Sequence, residues 1–220
     1  EQPNRDIFQK YFECDFCEYS EDYFNKNISQ YSILVPHLYL KLTHEHINKA
    51  SNLKYIFTPS TGTNHLDLKA INNNDINLYC LSDNAEFISE ISSTAELAWL
   101  LILAANRKIL QLNKRVLTEN SWKNNDLRGN QLKNKTIGII GFGRLGKMIF
   151  NYAKSFDMNI LIYDTDKSST IGYEDYAKDF NELLKESDII TLHPKLNEIS
   201  FEMINSETLK HMKEGVIIIN

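Results

Sequence analysis

Cysteine is scarce in this chain, with three residues in 220. That is too few for a disulfide framework, and the default compartment is a reducing cytoplasm. Cys14 and Cys17 form a C-x-x-C with no second pair behind it, and Cys80 stands alone. Zinc or redox chemistry is therefore set aside in favour of two thiols beside an aromatic-rich strand, and no metal site is expected. A long apolar run is also missing. The most apolar segment, Leu97 to Ala105, is too short for a bilayer, is bounded by Glu96 and Asn106, and reads as a buried helix. No signal peptide opens the sequence. Charge is not strongly of one sign: a net −5 gives no electrostatic case for nucleic acid or an anionic membrane. Internal repeats and low-complexity tracts are absent. What remains, 42% apolar and 24% charged residues, is ordinary soluble globular protein, long enough for one large or two small domains.

The most informative stretch is Thr136-Ile-Gly-Ile-Ile-Gly-Phe-Gly-Arg-Leu-Gly146. Ile137 to Ile140 reads as a buried parallel strand and residues 144–156 as a helix. Between them lies Gly141-x-Gly143-x-x-Gly146, a G-x-G-x-x-G in the strand–turn–helix context that the dinucleotide fingerprint requires. Gly141 permits the tight turn, Gly143 leaves the backbone open to a pyrophosphate, and Gly146 lets helix and strand pack closely. The helix start offers free N–H groups and partial positive charge to phosphates. A second apolar run, residues 159–163, ends on Asp164 about 20 residues further on. A carboxylate there accepts both ribose hydroxyls and repels a 2′-phosphate, so NAD is the expected cofactor.

In chain order, an amphipathic helix is predicted over residues 1–12, with Ile7, Phe8, Tyr11 and Phe12 on one side, and a strand over 14–19. Residues 21–30 read as helix or loop. Strands follow at 31–36, 54–58 and 77–81. Helices fall between them, one capped by Thr43 over 44–50 and one over 66–72. Ser92-Ser-Thr-Ala-Glu96 starts a long helix reaching about Leu112, apolar enough for both sides to be covered. Residues 113–134 are polar, with Trp122 and Leu127-Arg-Gly129 as anchors. After the fingerprint unit come a helix over 174–185, a strand over 188–193, a helix over 205–213 and a strand over 216–220. Alternating strands and helices imply α/β architecture: a flavodoxin-like domain over 1–92 and a Rossmann-type dinucleotide-binding domain over 93–220. The first unit opens on a helix where such units open on a strand, so it is expected to lack its first strand.

These landmarks together resemble the D-isomer-specific 2-hydroxyacid dehydrogenases. Ser60-Thr-Gly-Thr-Asn-His-Leu-Asp67 is similar to the family's substrate-side loop, S-x-G-x-D-x-I-D. Ser93-Thr-Ala-Glu-Leu with the following apolar helix and Arg107 is similar to its V-A-E-H…R segment. Leu127-Arg-Gly with the run to Gly146 resembles its cofactor signature. His193-Pro194…Asn205…Leu209…Met212-Lys-Glu-Gly215-Val…Asn220 resembles the stretch leading to its catalytic arginine. The resemblance implies NAD-dependent hydride transfer with a small 2-hydroxy or 2-keto acid, of phosphoglycerate or hydroxypyruvate type. It implies that backbone at Arg144 and Leu145 holds the pyrophosphate and Asp164 the adenosine ribose. His193 and Pro194 then line the adenine side, and Thr94 approaches the nicotinamide. Backbone at Thr61, Gly62 and Thr63 meets the substrate carboxylate. A homodimer built on the long helix is implied too. Asn64 stands where the family has Asp, and His193-Pro-Lys-Leu-Asn departs from the usual proline-Leu-Thr order.

Reduction of a 2-keto acid needs a cation for the carboxylate and a tuned proton donor. The family's catalytic arginine, glutamate and histidine fall past Asn220, so both domains are read as incomplete and this chain alone as inactive. No catalytic residue is assigned. Of the histidines, His44 and His46 read as a solvated helix end and His65 as a polar loop residue. Arg107 reads as a carboxylate partner or an interface residue. The alternative reading is a non-catalytic NAD(H)-binding regulator, corepressor-like, of the same fold.

Overall fold

A computed structural model describes residues 2–119 and 127–220; the anchor expected at Trp122 lies outside them. The chain divides into two compact units, Glu1–Ile88 and Ser89–Asn220.

The first unit holds helices α1 (Gln2–Gln9), α2 (Glu21–Asn27), α3 (His44–Lys49) and α4 (Leu68–Asn73), and strands β1 (Ile33–Leu34), β2 (Tyr55–Thr58) and β3 (Asn77–Cys80). The strands are parallel in the order β1-β2-β3. Alternation along β2 sends Ile56 and Thr58 into the core and leaves Tyr55 and Phe57 exposed. Ile28, Leu42, Ile47, Ile56 and Ile71 make that core. On the other face Phe57 stacks on Tyr79 at 4.9 Å and 11°. Residues 14–19 form no strand: Asp15 is instead tied to the Tyr31 hydroxyl at 2.5 Å. His46 is not solvated either. It is buried, with Nε2 2.8 Å from Glu21 and Nδ1 accepting the Thr43 N–H at 3.2 Å, so it closes the start of α3 and joins it to α2.

Helix α5 (Ala85–Ser89) leads to the second unit, which contains α6 (Ser93–Asn106), α7 (Ile109–Glu119), β4 (Thr136–Ile140), α8 (Arg144–Ser155), β5 (Asn159–Tyr163), α9 (Phe180–Glu186), β6 (Ile189–Leu192), α10 (Ser206–Leu209) and β7 (Ile217–Ile219). The long helix expected to reach Leu112 breaks at Lys108, which adopts a left-handed φ of 53°. Ala95, Trp99 and Ile102 on α6 are buried, whereas Leu97, Leu100 and Leu101 are 56%, 59% and 41% exposed, so only one side is covered by the described residues. The stretch Ala85–Asn106 has the length and apolarity to cross a membrane by those criteria alone; here α6 packs its buried side into the sheet's core. Gly129 abuts the Arg107 backbone so closely that a Cβ would lie 2.5 Å from its Cα. This anchors the Leu127-Arg-Gly129 segment at the end of α6. The predicted helix at 205–213 is a single turn, α10, and the one at 174–185 shortens to α9.

The second sheet is fully parallel, ordered β5-β4-β6-β7. Between β5 and α9 a further strand is reduced to one bridge, Ala177 to Ile162. β4 is buried on both faces. Ile137 and Ile139 join Ile102, Ile149 and Phe150 on one side, and Ile140 joins Leu161, Leu183 and Ile190 on the other. Gly138 leaves room for α9. A Cβ there would sit 2.4 Å from Ser187 Oγ and 2.5 Å from Leu183 Cδ2, and Ser187 cannot swing away without losing its bond to the Leu183 carbonyl. Gly138→Ala should therefore destabilise the chain by about 1–3 kcal/mol, the usual cost of overpacking. Urea denaturation measures this; an unchanged midpoint would show that α9 yields freely.

Candidate dinucleotide site

Three parallel strands end level with one another. Ile140 is in register with Tyr163 on β5 and with Leu192 on β6, so the next residues, Gly141, Asp164 and His193, stand side by side at the carboxyl edge. β4 also has its successor β5 on one side and the later β6 on the other. That change of direction opens a crevice at the carboxyl ends of open parallel sheets, and ligands bind there.

Gly141 has a φ of +87°, and a Cβ on it would lie 2.5 Å from both the His193 carbonyl carbon and the Pro194 nitrogen. It is glycine for conformation and for space. A Cβ on Gly146 would meet the Gly141 oxygen at 2.2 Å, so the first turn of α8 lies directly against the turn that precedes it. Gly143 differs: a Cβ there meets nothing within 4 Å. It starts α8 without a side-chain cap, and the N–H groups of Gly143, Arg144 and Leu145 have no internal acceptor among the described residues. Open space above unsatisfied donors at a helix start fits a phosphate group.

Asp164 is half-buried, and both carboxylate oxygens are engaged. Phe142 N–H donates to Oδ2 at 2.6 Å and Asp166 N–H to Oδ1 at 2.9 Å. A carboxylate accepts about four hydrogen bonds, which leaves capacity for two ligand hydroxyls. Phe142 itself is fully buried, edge-on to Phe150 and Tyr173. Arg144 turns its guanidinium back to the Ile91 carbonyl just ahead of α6. This ties the glycine turn to the end of α6 that carries the exposed Thr94.

His193 takes its place through its N–H, which donates to the Ile140 carbonyl at 2.7 Å, and its Nε2 lies 2.8 Å from Thr191 Oγ1. Burial pushes its pKa down to about 4, so the ring and the adjoining Pro194 form an uncharged wall near neutral pH. Sequence reasoning missed the partners that hold Asp164 in place, since backbone donors leave no residue-type signal, and the Thr191 hydroxyl that holds the His193 ring.

In the first unit, Thr61, Gly62 and Thr63 follow β2. Ser60 Oγ donates to the Gly62 carbonyl at 2.7 Å, and Leu66 N–H to the Thr63 carbonyl at 2.9 Å. The N–H groups of residues 61–63 have no internal partner among the described residues, and a Cβ on Gly62 would meet nothing within 4 Å. His65 is half-buried, 3.2 Å from Thr58 Oγ1, with its pKa lowered by burial. The Arg107 guanidinium makes no ion pair among the described residues. No group of three metal-ligating side chains is found among them.

The depressed pKa of His193 has a consequence for stability. The folded state holds the ring neutral, while an unfolded imidazole protonates near 6.5. Stability should therefore fall as pH drops below about 6.5 and level off below the folded value of about 4. Between pH 7 and 5 the loss should be on the order of 2 kcal/mol. Urea curves for the chain and for His193→Gln test this: the variant should lack that part of the pH dependence, and parallel curves would refute it.

Residues 99–220 match the family model described as the D-isomer specific 2-hydroxyacid dehydrogenase, NAD binding domain. Hydroxypyruvate reductase of Thermotoga maritima is 34% identical over 91% of this chain and 63% of its own length. D-3-phosphoglycerate dehydrogenase of Methanocaldococcus jannaschii is 35% identical over 89% of this chain and 37% of its own. The chain thus spans less than two thirds of these relatives. Among solved structures, D-lactate dehydrogenase from Aquifex aeolicus, complexed with NAD and lactic acid, superposes with a TM-score of 0.77 at 28% identity, over 88% of this chain and 57% of that one. With more than half its length matched by the family model, this chain belongs to the D-isomer specific 2-hydroxyacid dehydrogenases.

Proposed function

We propose that this chain carries the cofactor-binding core of an NAD-dependent dehydrogenase that moves hydride between NAD(H) and a small 2-hydroxy or 2-keto acid. The open cradle at Gly143, above free N–H groups and beside Asp164, carries the reading. Bound NAD supplies the hydride donor or acceptor at its nicotinamide. The chain's own residues bind and orient: Gly141, Gly143, Arg144, Leu145 and Gly146 take the pyrophosphate, Asp164 the adenosine ribose and His193 with Pro194 the adenine side. Thr94 takes the nicotinamide side. Residues 93–220 form this cofactor domain, and 1–92 a flavodoxin-like substrate domain in which the free N–H groups of Thr61, Gly62 and Thr63 receive a carboxylate. The hydroxypyruvate reductase and phosphoglycerate dehydrogenase relatives favour a substrate of that type. Three free thiols agree with a cytoplasmic setting.

Gly143→Ala is the discriminating test, because the added methyl meets no protein atom and sits where a phosphate belongs. The variant should keep the unfolding midpoint of the parent and lose NADH affinity by about tenfold or more, equivalent to about 1.4 kcal/mol, in a fluorescence titration. Equal affinity would overturn the phosphate assignment. Turnover itself is to be assayed on the full natural gene product with hydroxypyruvate and glyoxylate; NADH binding without oxidation would favour the regulatory reading.

The exposed leucines of α6 support a homodimer, since three large apolar side chains on one helix face form a patch that monomers rarely leave open. Leu100→Glu should shift sedimentation from dimer to monomer while NADH still binds. A parent chain that sediments as a monomer at all concentrations would rule this out.

A further inference from the structure

Asp164 is held by two donors of different kinds. The Phe142 N–H belongs to the glycine turn and is fixed by the buried Phe142 ring. The Asp166 N–H belongs to the exposed start of a loop that first meets the interior at Thr170. Its direction is set by Asp166 itself. One carboxylate oxygen of Asp166 accepts both the N–H and the hydroxyl of Ser168, at 2.9 and 2.7 Å. The Asp166 carbonyl accepts the N–H and hydroxyl of Ser169 at 3.1 and 2.7 Å. These four bonds close one helical turn over Lys167–Thr170, for which Asp166 is the N-cap. The turn aims the Asp166 N–H at Asp164.

We propose that Asp166 is a positioning residue for cofactor recognition: by capping the turn it caps, it directs its own N–H onto Asp164 and presets the carboxylate for a vicinal diol. This rests on the reading of Asp164 as the ribose ligand. A carboxylate gripped on one oxygen only can rotate about its Cβ–Cγ bond, whereas one gripped on both keeps its remaining lone pairs in fixed directions. Preset acceptors bind a rigid diol more tightly, because less freedom is lost on binding. An asparagine at 166 still caps the turn through its side-chain oxygen, whereas an alanine does not.

The test compares Asp166→Ala and Asp166→Asn by NADH fluorescence titration and by the amide proton resonance of residue 166. Asp166→Ala should weaken NADH by about tenfold and move that resonance upfield as its carboxylate acceptor is lost. Asp166→Asn should restore both, with an affinity within about threefold of the parent. Asp166→Ala should lower the unfolding midpoint slightly, as loss of an N-cap does, and Asp166→Asn should keep the midpoint of the parent. An Asp166→Ala chain that binds NADH like the parent, or that weakens it while the amide resonance stays put, overturns the inference and leaves the ribose assignment standing. A parent chain that fails to bind NADH overturns both.

Discussion

The structure turns on the contact between Gly141 and the His193–Pro194 peptide. With no side chain on Gly141, the exits of β4 and β6 approach within van der Waals distance, and Gly146 can then seat α8 on the turn. Any Cβ at Gly141 or Gly146 would push these segments apart, and the level edge of Gly141, Asp164 and His193 would be lost. The residues that shape the site are thus mostly ones that contribute no side chain to it. Of the side chains that do contribute, Asp164 is aimed by backbone N–H groups and the His193 ring by the Thr191 hydroxyl.

The two units solve burial differently. In the second, β4 lies between two helical layers, so isoleucines point both ways and only Gly138 breaks the run. In the first, the sheet is covered on one side, and β2 alternates buried and exposed residues. Its open face is lined by the stacked rings of Phe57 and Tyr79. Parallel sheets are ordinarily covered on both faces, which makes this face the most unusual surface of the first unit.

Sequence patterns were most legible where one physical signal dominated. The strand over residues 159–163 and the helix from Arg144 follow from an unbroken apolar run and a glycine turn, and the structure places both there. The parallel α/β class followed from alternation along the chain. The break at Lys108 was not legible, because lysine carries no preference for left-handed backbone; the break follows from the close seat of Gly129 on Arg107. The strand expected at 14–19 rested on aromatic content alone, and no neighbouring strand pairs with it. His46 looked solvated because its partner, Glu21, is 25 residues away. The fingerprint glycines and Asp164 could be named from spacing, but the Asp166 clamp needs the loop's three-dimensional course.

The central place of β4 also bears on how the second unit assembles. Its partner in β5 lies roughly 23 residues away, Ile137 opposite Ile160, and its partner in β6 roughly 52 away, Ile137 opposite Ile189. Closing the longer loop costs about 0.7 kcal/mol more chain entropy than closing the shorter one. The β4–α8–β5 crossover unit is therefore the cheaper nucleus, and it leads directly into Asp164 and contains the glycine turn. The segment that reads the ligand is also the segment that the chain can close with the least loss of freedom, before β6 brings His193 to the edge.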